Sequence, residues 1–366
     1  MQTTAPPIPT PRKSRRRWYA IAGFLALFLA TPYAVMFISE WQHDRELEQI
    51  YAELDAEDPN WRWADLIANQ PKPSPDERNA AVQVAKVVKL GGNKIQVATK
   101  WGDAAKNTNT RLSEDYLEAL RAAFKRLDPK SLEESRKLMD MPDGCLLMPA
   151  NEIPWEGVGT LFLDFVGVMR LLHYDACLRT SDEDPEGAAD SCQAVLYAAH
   201  AIGDCPVSMA QLVRIAGQSM AMQSIERTLG QGDVSETRLR ALQSALSIEA
   251  EHNGPYHAWR GERAGMHQYY LLQRAGKIPP FKDSRSGGVR GFILDVCPGL
   301  YMRGYADFLR SQNGMICASQ LPEHTQLQAL GALEDQAQKV RGSHGFLGSA
   351  YDDNIFPALR AFVWVK

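Results

Sequence analysis

Residues 156–202 read EGVGTLFLDFVGVMRLLHYDACLRTSDEDPEGAADSCQAVLYAAHAI. In the first half Phe162, Phe165, Val166, Met169 and Leu172 recur every three or four residues. In the second half Ala188, Cys192, Val195, Leu196 and Ala199 do the same. That spacing lines one face of an α-helix and does not fit the strict alternation of a half-buried strand. Between the halves, Asp184-Pro185-Glu186-Gly187 offers a capping aspartate followed by proline at the first helical position. The stretch predicts two helices, about Glu156–Leu178 and Pro185–Ile202, joined by a short turn.

Downstream the pattern repeats. A third helix is expected over Val207–Leu229, with Met209, Leu212, Val213, Ala216 and Met220 on its core face. A fourth follows Asp233 and Glu236, which fit a capping box, and carries the stripe Leu239, Leu242, Leu246. Asn253-Gly254-Pro255 stops it, and a fifth covers about Tyr256–Arg274. Successive helices joined by short turns suggest stacked helix pairs, although no strict 34-residue repeat signature is present. Upstream, Asn79–Leu90 and a helix opened by Ser113 have helical spacing, Ser131 and Glu134 fit a capping box, and residues 142–155 form a proline-rich break. Asp58-Pro59 signals a turn before Trp61 and Trp63.

The fold expected is all-α, an N-terminal transmembrane helix followed by a solenoid-like array of stacked helix pairs. It divides into a basic tail (1–17), a membrane helix (18–39), a juxtamembrane helical module (40–150), the array (151–276) and a loop-rich C-terminal segment (277–366). The 366 residues are 45% apolar and 23% charged, which excludes wholesale disorder and a collagen-like repeat.

The membrane assignment rests on charge. From Trp18 to Ser39 no residue is charged, and Arg12, Lys13, Arg15, Arg16 and Arg17 precede the run. Twenty-two residues of helix span roughly 33 Å, enough to cross the hydrocarbon core. The positive-inside rule puts the N-terminus in the cytoplasm and the body outside, at the inner membrane with a periplasmic face. A cleaved signal peptide is the alternative. It would need a shorter run and a small-x-small site, whereas Pro32-Tyr33-Ala34 is a poor one. Beyond residue 39 the chain is acidic, which argues against a nucleic-acid-binding face.

Six cysteines in an exported body permit disulfides. Cys177 and Cys192 flank the Asp184 turn almost symmetrically, so an antiparallel helix pair would bring them opposite each other. The alternative is a pair of small buried thiols.

No His-Glu-x-x-His, Gly-x-Ser-x-Gly or phosphate-cradling glycine motif occurs, and no cofactor or metal is assigned. The densest polar cluster is Glu249, Glu251, His252, His257, Arg260, Glu262 and His267, with His252 and His257 straddling the Asn-Gly-Pro turn. His173 and His200 read as core histidines, the methionines at 209, 220 and 222 as core filler, and Trp61 or Trp63 as an anchor for the connector.

Leu54-Asp55-Ala56-Glu57-Asp58-Pro59, Trp61-Arg62, Pro75-Asp76-Glu77, Asn79-Ala80-Ala81, the stretch from Asp204 to Ala216 and Arg260-Gly261-Glu262-Arg263-Ala264 carry a resemblance. The chain resembles uncharacterised single-pass membrane-anchored helical proteins common in planctomycete-type bacteria. The resemblance brings no catalytic motif. Such proteins continue further, so it implies that the C-terminal segment here is truncated.

The expectation for function is a membrane-anchored extracytoplasmic scaffold, with the lipid bilayer and an envelope protein as partners and no nucleic acid. The alternative is an exported hydrolase using Glu249, His252, His257 and Glu262. A hydrolase requires these four to converge in a cleft. A scaffold requires an exposed apolar groove.

Overall fold

The computed structural model describes residues 14–71, 75, 78–97, 107–150, 152–156, 158–278 and 305–343. Among them the secondary structure is entirely helical. Helix α1 runs unbroken over Ser14–Glu57, followed by α2 (Trp63–Ala68), α3 (Ala80–Lys89), α4 (Glu114–Phe124) and α5 (Pro129–Arg136). The long helices are α6 (Gly159–Ser181), α7 (Pro185–His200), α8 (Ser208–Gln231), α9 (Glu236–Glu251) and α10 (Gly254–Arg274), and α11 (Tyr305–Ser319) and α12 (Glu323–Ser343) complete them.

A capping side chain accounts for five of the helix starts. Asn79, Ser113, Asp184 and Asn253 each accept a hydrogen bond from a backbone N–H of the first turn they cap, satisfying donors the helix leaves orphaned. Two expected caps are not formed. Asp128 caps α5 with Pro129 behind it, so Ser131 lies inside the helix and donates its hydroxyl to the Asp128 carbonyl. At α9 the first residue is Glu236, and the preceding Ser235 donates from backbone and hydroxyl to Glu186 of α7.

Helix α6 packs on both α7 and α8, α7 also on α9, and α8 also on α10. One core runs through this assembly from Trp63 and Val84 to Phe165, Leu196, Val213 and Ala264. It crosses residue 150, so the proline-rich break does not separate two cores, and Leu146 and Met148 within the break are themselves buried. The buried face of α8 differs from the one its large residues suggest. Ala210, Val213, Gly217, Ala221 and Ser224 point inward, while Met209 and Met222 are exposed. Small residues let helices approach closely: a Cβ on Gly217 would strike Met169 and Ala199.

Helix α1 changes environment along its length. Trp18, Tyr19, Phe24, Leu27 and Phe37 are exposed, whereas Leu47, Ile50 and Leu54 are buried with Tyr270, Tyr305 and Leu309 of α10 and α11. The helix ends before Asp58-Pro59, where Asn60 adopts a left-handed conformation. Trp61 and Trp63 are both buried, which makes them anchors of the connector. Among the described residues no helix is long and apolar enough to cross a membrane. The transmembrane helix expected at 18–39 is thus not shown among the described residues. Arg12, Lys13, Cys297 and residues 279–304 and 344–366 lie outside the described residues; within the expected loop-rich segment 277–366, the described part is mostly helical, in α11 and α12.

Candidate functional site: a cleft at the α9–α10 turn

Three segments meet beside the α9–α10 turn. The first is the loop from Gly203 to Val207 between α7 and α8. Gly203 turns it with φ +61°, a left-handed value that glycine adopts without steric cost. The second is His252, at the end of α9, and the third is His257, in the first turns of α10. Gly261 of α10 lets the helix lie against the loop, since a Cβ there would overlap the Pro206 carbonyl. Gln211 of α8 fastens the same loop by donating its amide to the Gly203 and Cys205 carbonyls at 3.0 and 2.9 Å.

This packing places Asp204 against both histidines. Its Oδ1 lies 3.5 Å from His252 Nδ1 and 3.4 Å from His257 Nε2. The two rings are stacked, with centroids 5.3 Å apart and planes 6° from parallel. His252 Nε2 sits 2.9 Å from Gln211 Oε1. Burial, aided by the charge of Arg214, pushes the His252 imidazole down to about 4. Burial also lowers His257, against the opposing pull of Asp204. Both rings are therefore neutral at physiological pH, and the group offers two imidazoles and one carboxylate for proton transfer or metal ligation.

Asp204 divides two cavities of about 340 and 330 Å³. The first is walled by Cys145, His200, Arg214 and His252, the second by Gln70, His257 and Arg260. Pro71 borders both.

The structure splits the cluster expected from sequence. Glu249 is engaged in a buried network of its own. Arg214 grips it with Nε–Oε2 at 2.9 Å and Nη2–Oε1 at 2.7 Å, His200 Nδ1 lies at 2.6 Å and Gln218 donates at 2.6 Å. Burial raises the Glu249 carboxyl, but these bonds outweigh it and hold the group down at about 2. Glu262 instead accepts from the backbone N–H and hydroxyl of Ser208 at the start of α8, where a carboxylate complements the helix dipole. Arg260 pairs with Asp58, at the end of α1. The four-residue hydrolase set is thus not one site. His252 and His257 converge as the turn suggested, and their third partner, Asp204, carries no spacing signal in the sequence.

The disulfide is also corrected. Cys177 and Cys192 are buried free thiols. They face different neighbours: Cys177 packs with Tyr116 and Leu120 of α4, whereas Cys192 approaches Thr228 of α8, with Sγ 3.9 Å from Oγ1. His173 is a satisfied core histidine, bonded to Ser224 at 2.7 Å.

A second feature lies toward the C-terminal end of α8. Helices α8 and α9 border a cavity of about 400 Å³ lined by Ile225, Leu229, Leu239, Leu242, Leu246 and Ala250. Leu229 and Leu239 are exposed along it.

Compared with known proteins, the chain matches no family model, no curated protein and no solved structure.

Proposed function

We propose that the protein is a membrane-anchored extracytoplasmic helical scaffold, akin to the single-pass proteins it resembles in sequence. In this reading residues 18–39 of α1 lie in the bilayer of the inner membrane and the basic tail stays in the cytoplasm. The stacked helices then hold an amphipathic helix of another envelope protein. The observation that carries the reading is the contrast along α1, where Trp18, Tyr19, Phe24, Leu27 and Phe37 are exposed and Leu47, Ile50 and Leu54 are buried. Uncovered apolar surface of that extent suits a lipid environment far better than water. Eight residues of helix separate Ser39 from Leu47, about 12 Å, so the body would ride close to the bilayer surface.

The groove supports the second half of the reading. Leu239, Leu242, Leu246 and Ala250 lie three or four residues apart along α9. They form a stripe about 16 Å long, the form that receives the apolar face of a partner helix. The packing of α6 on α8, α7 on α9 and α8 on α10 supports an array in which each of these helices contacts the next but one.

Site-directed photocrosslinking in native membranes tests this. A photoreactive residue at Leu229 or Leu239 is expected to capture one and the same protein, and L246D should reduce that capture at least tenfold. The same probe at Val82, exposed on α3, should not capture it. Equal labelling from Val82, or capture of lipid alone from the groove, would overturn the reading.

A further inference from the structure

We propose that Asp204, His252 and His257 form a binding site for a divalent transition-metal ion of the zinc class, with a coordination position left open to the cleft. The argument is independent of the membrane and scaffold readings. It begins at Gln211. The amide nitrogen of Gln211 donates to two carbonyls, those of Gly203 and Cys205, so its oxygen must be the atom that faces His252. An amide oxygen only accepts. His252 Nε2 therefore carries a ring proton, and in that tautomer Nδ1 presents a lone pair. That lone pair faces a carboxylate oxygen of Asp204 at 3.5 Å. Two electron-pair donors thus oppose each other across a gap in which a cation would be attracted by both.

The distances fit such an ion. The ligand atoms of the three residues all lie within 4.8 Å of one another, and two of the three separations are 3.5 and 3.4 Å. Zinc–nitrogen and zinc–oxygen bonds of about 2.0–2.1 Å in a tetrahedron place neighbouring ligands about 3.3 Å apart. Two imidazoles with one carboxylate favour zinc or a similar transition ion over calcium or magnesium, which prefer all-oxygen shells. The support such a site needs behind its ligands is also in place. The Nε2–H of His252 is held by a carbonyl-type oxygen, the arrangement that orients metal-bound histidines. Three protein ligands leave a fourth position, and the two cavities beside Asp204 provide room for a water or a small ligand there.

The test uses the full-length chain in detergent, treated with chelator and titrated with Zn²⁺ against a chromophoric competitor, then with Co²⁺. The expected result is one tight site per chain and the visible absorption of tetrahedral Co²⁺, bleached by added Zn²⁺. D204N and H257Q should each weaken zinc binding at least about 100-fold, no less than the loss typical of a supporting residue. Asp204 is exposed on a loop, so D204N should leave the metal-free melting curve in place. It reads the site even if H257Q fails to fold. A wild-type chain that binds zinc no more tightly than D204N, or a Co²⁺ spectrum unchanged in D204N, would overturn the proposal.

Discussion

Arg263, a side chain with 0% solvent exposure in the middle of α10, is ion-paired with Asp58 just beyond the end of α1. Arg260 adds a two-point grip on the same carboxylate, with Nε–Oδ2 at 2.9 Å and Nη2–Oδ1 at 2.6 Å. Asn313 of α11 accepts from Arg263 at 2.7 Å. The pair locks the end of α1 to the body, so that whatever holds residues 18–39 also fixes the orientation of the helical array.

Asp58→Ala would strand the buried Arg263 charge. The expected loss of stability is about 3–5 kcal/mol, the usual cost of removing one partner of a buried pair. Arg260→Ala should cost less, because Asp58 keeps Arg263. Urea denaturation of both variants measures this, and hydrogen exchange should show lost protection over Leu47–Leu54 in D58A. Equal and small effects from both variants would contradict the lock.

Acid should weaken the protein in two stages. Burial holds the His173, His252 and His267 imidazoles down at about 4, below the usual 6.5. The unfolded chain takes up protons on these rings as pH falls below 6.5, while the folded chain does not. Stability present above pH 6.5 is therefore lost progressively toward pH 4. Glu249 works in a lower window: its folded value of about 2 lies below the usual 4.5, so the stability it contributes above 4.5 disappears between there and 2. The urea midpoint followed from pH 8 to 4 should fall steadily below about 6.5. A midpoint flat from 7 to 5 would sink this account.

Gly261→Ala should disturb the cleft at a distance from its ligating groups. Its new methyl meets the Pro206 carbonyl, a backbone atom that cannot swing aside. Overpacking of this kind costs about 1–3 kcal/mol. The forced shift moves the loop carrying Asp204, so zinc affinity should fall together with the melting temperature. Gly276→Ala, at a helix end with open space around it but a positive φ, should lower stability through strain and leave zinc affinity unchanged.

Much of the helical part was legible because its signals are local. The stripes of α6 and α7, the cap Asp184, the helix start at Ser113 and the stop at Asn253-Gly254-Pro255 all act within one or two turns of chain. The buried face of α8 was not legible, because close approach selects Ala210, Gly217 and Ala221 over the larger Met209 and Met222. The site was half legible. The turn between His252 and His257 announces that the two rings can meet. Asp204 joins them only through the contact of Gly261 with Pro206 and the bonds from Gln211, which are tertiary and leave no spacing in the sequence. Glu249 and Glu262 looked available for chemistry because their partners, Arg214 and Ser208, lie on another helix.

The thiols offer a check on the missing disulfide. Burial pushes Cys177 up to about 11 and Cys192 up to about 12, and a protonated thiol is a poor nucleophile. Alkylation of the native protein without reductant should leave both unmodified, while exposed Cys317 reacts. After denaturation, still without reductant, both should react fully. A Cys177–Cys192 crosslinked peptide by mass spectrometry would contradict the packing described.

The central claim, that α1 anchors this body outside the cytoplasm, is tested most directly by alkaline carbonate extraction of native membranes combined with protease accessibility. The account predicts that the full chain stays in the membrane pellet and that residues 40–366 are cut only when protease is added to the extracytoplasmic face. Release of the intact chain into the carbonate supernatant, or cleavage of the body from the cytoplasmic face, would contradict it.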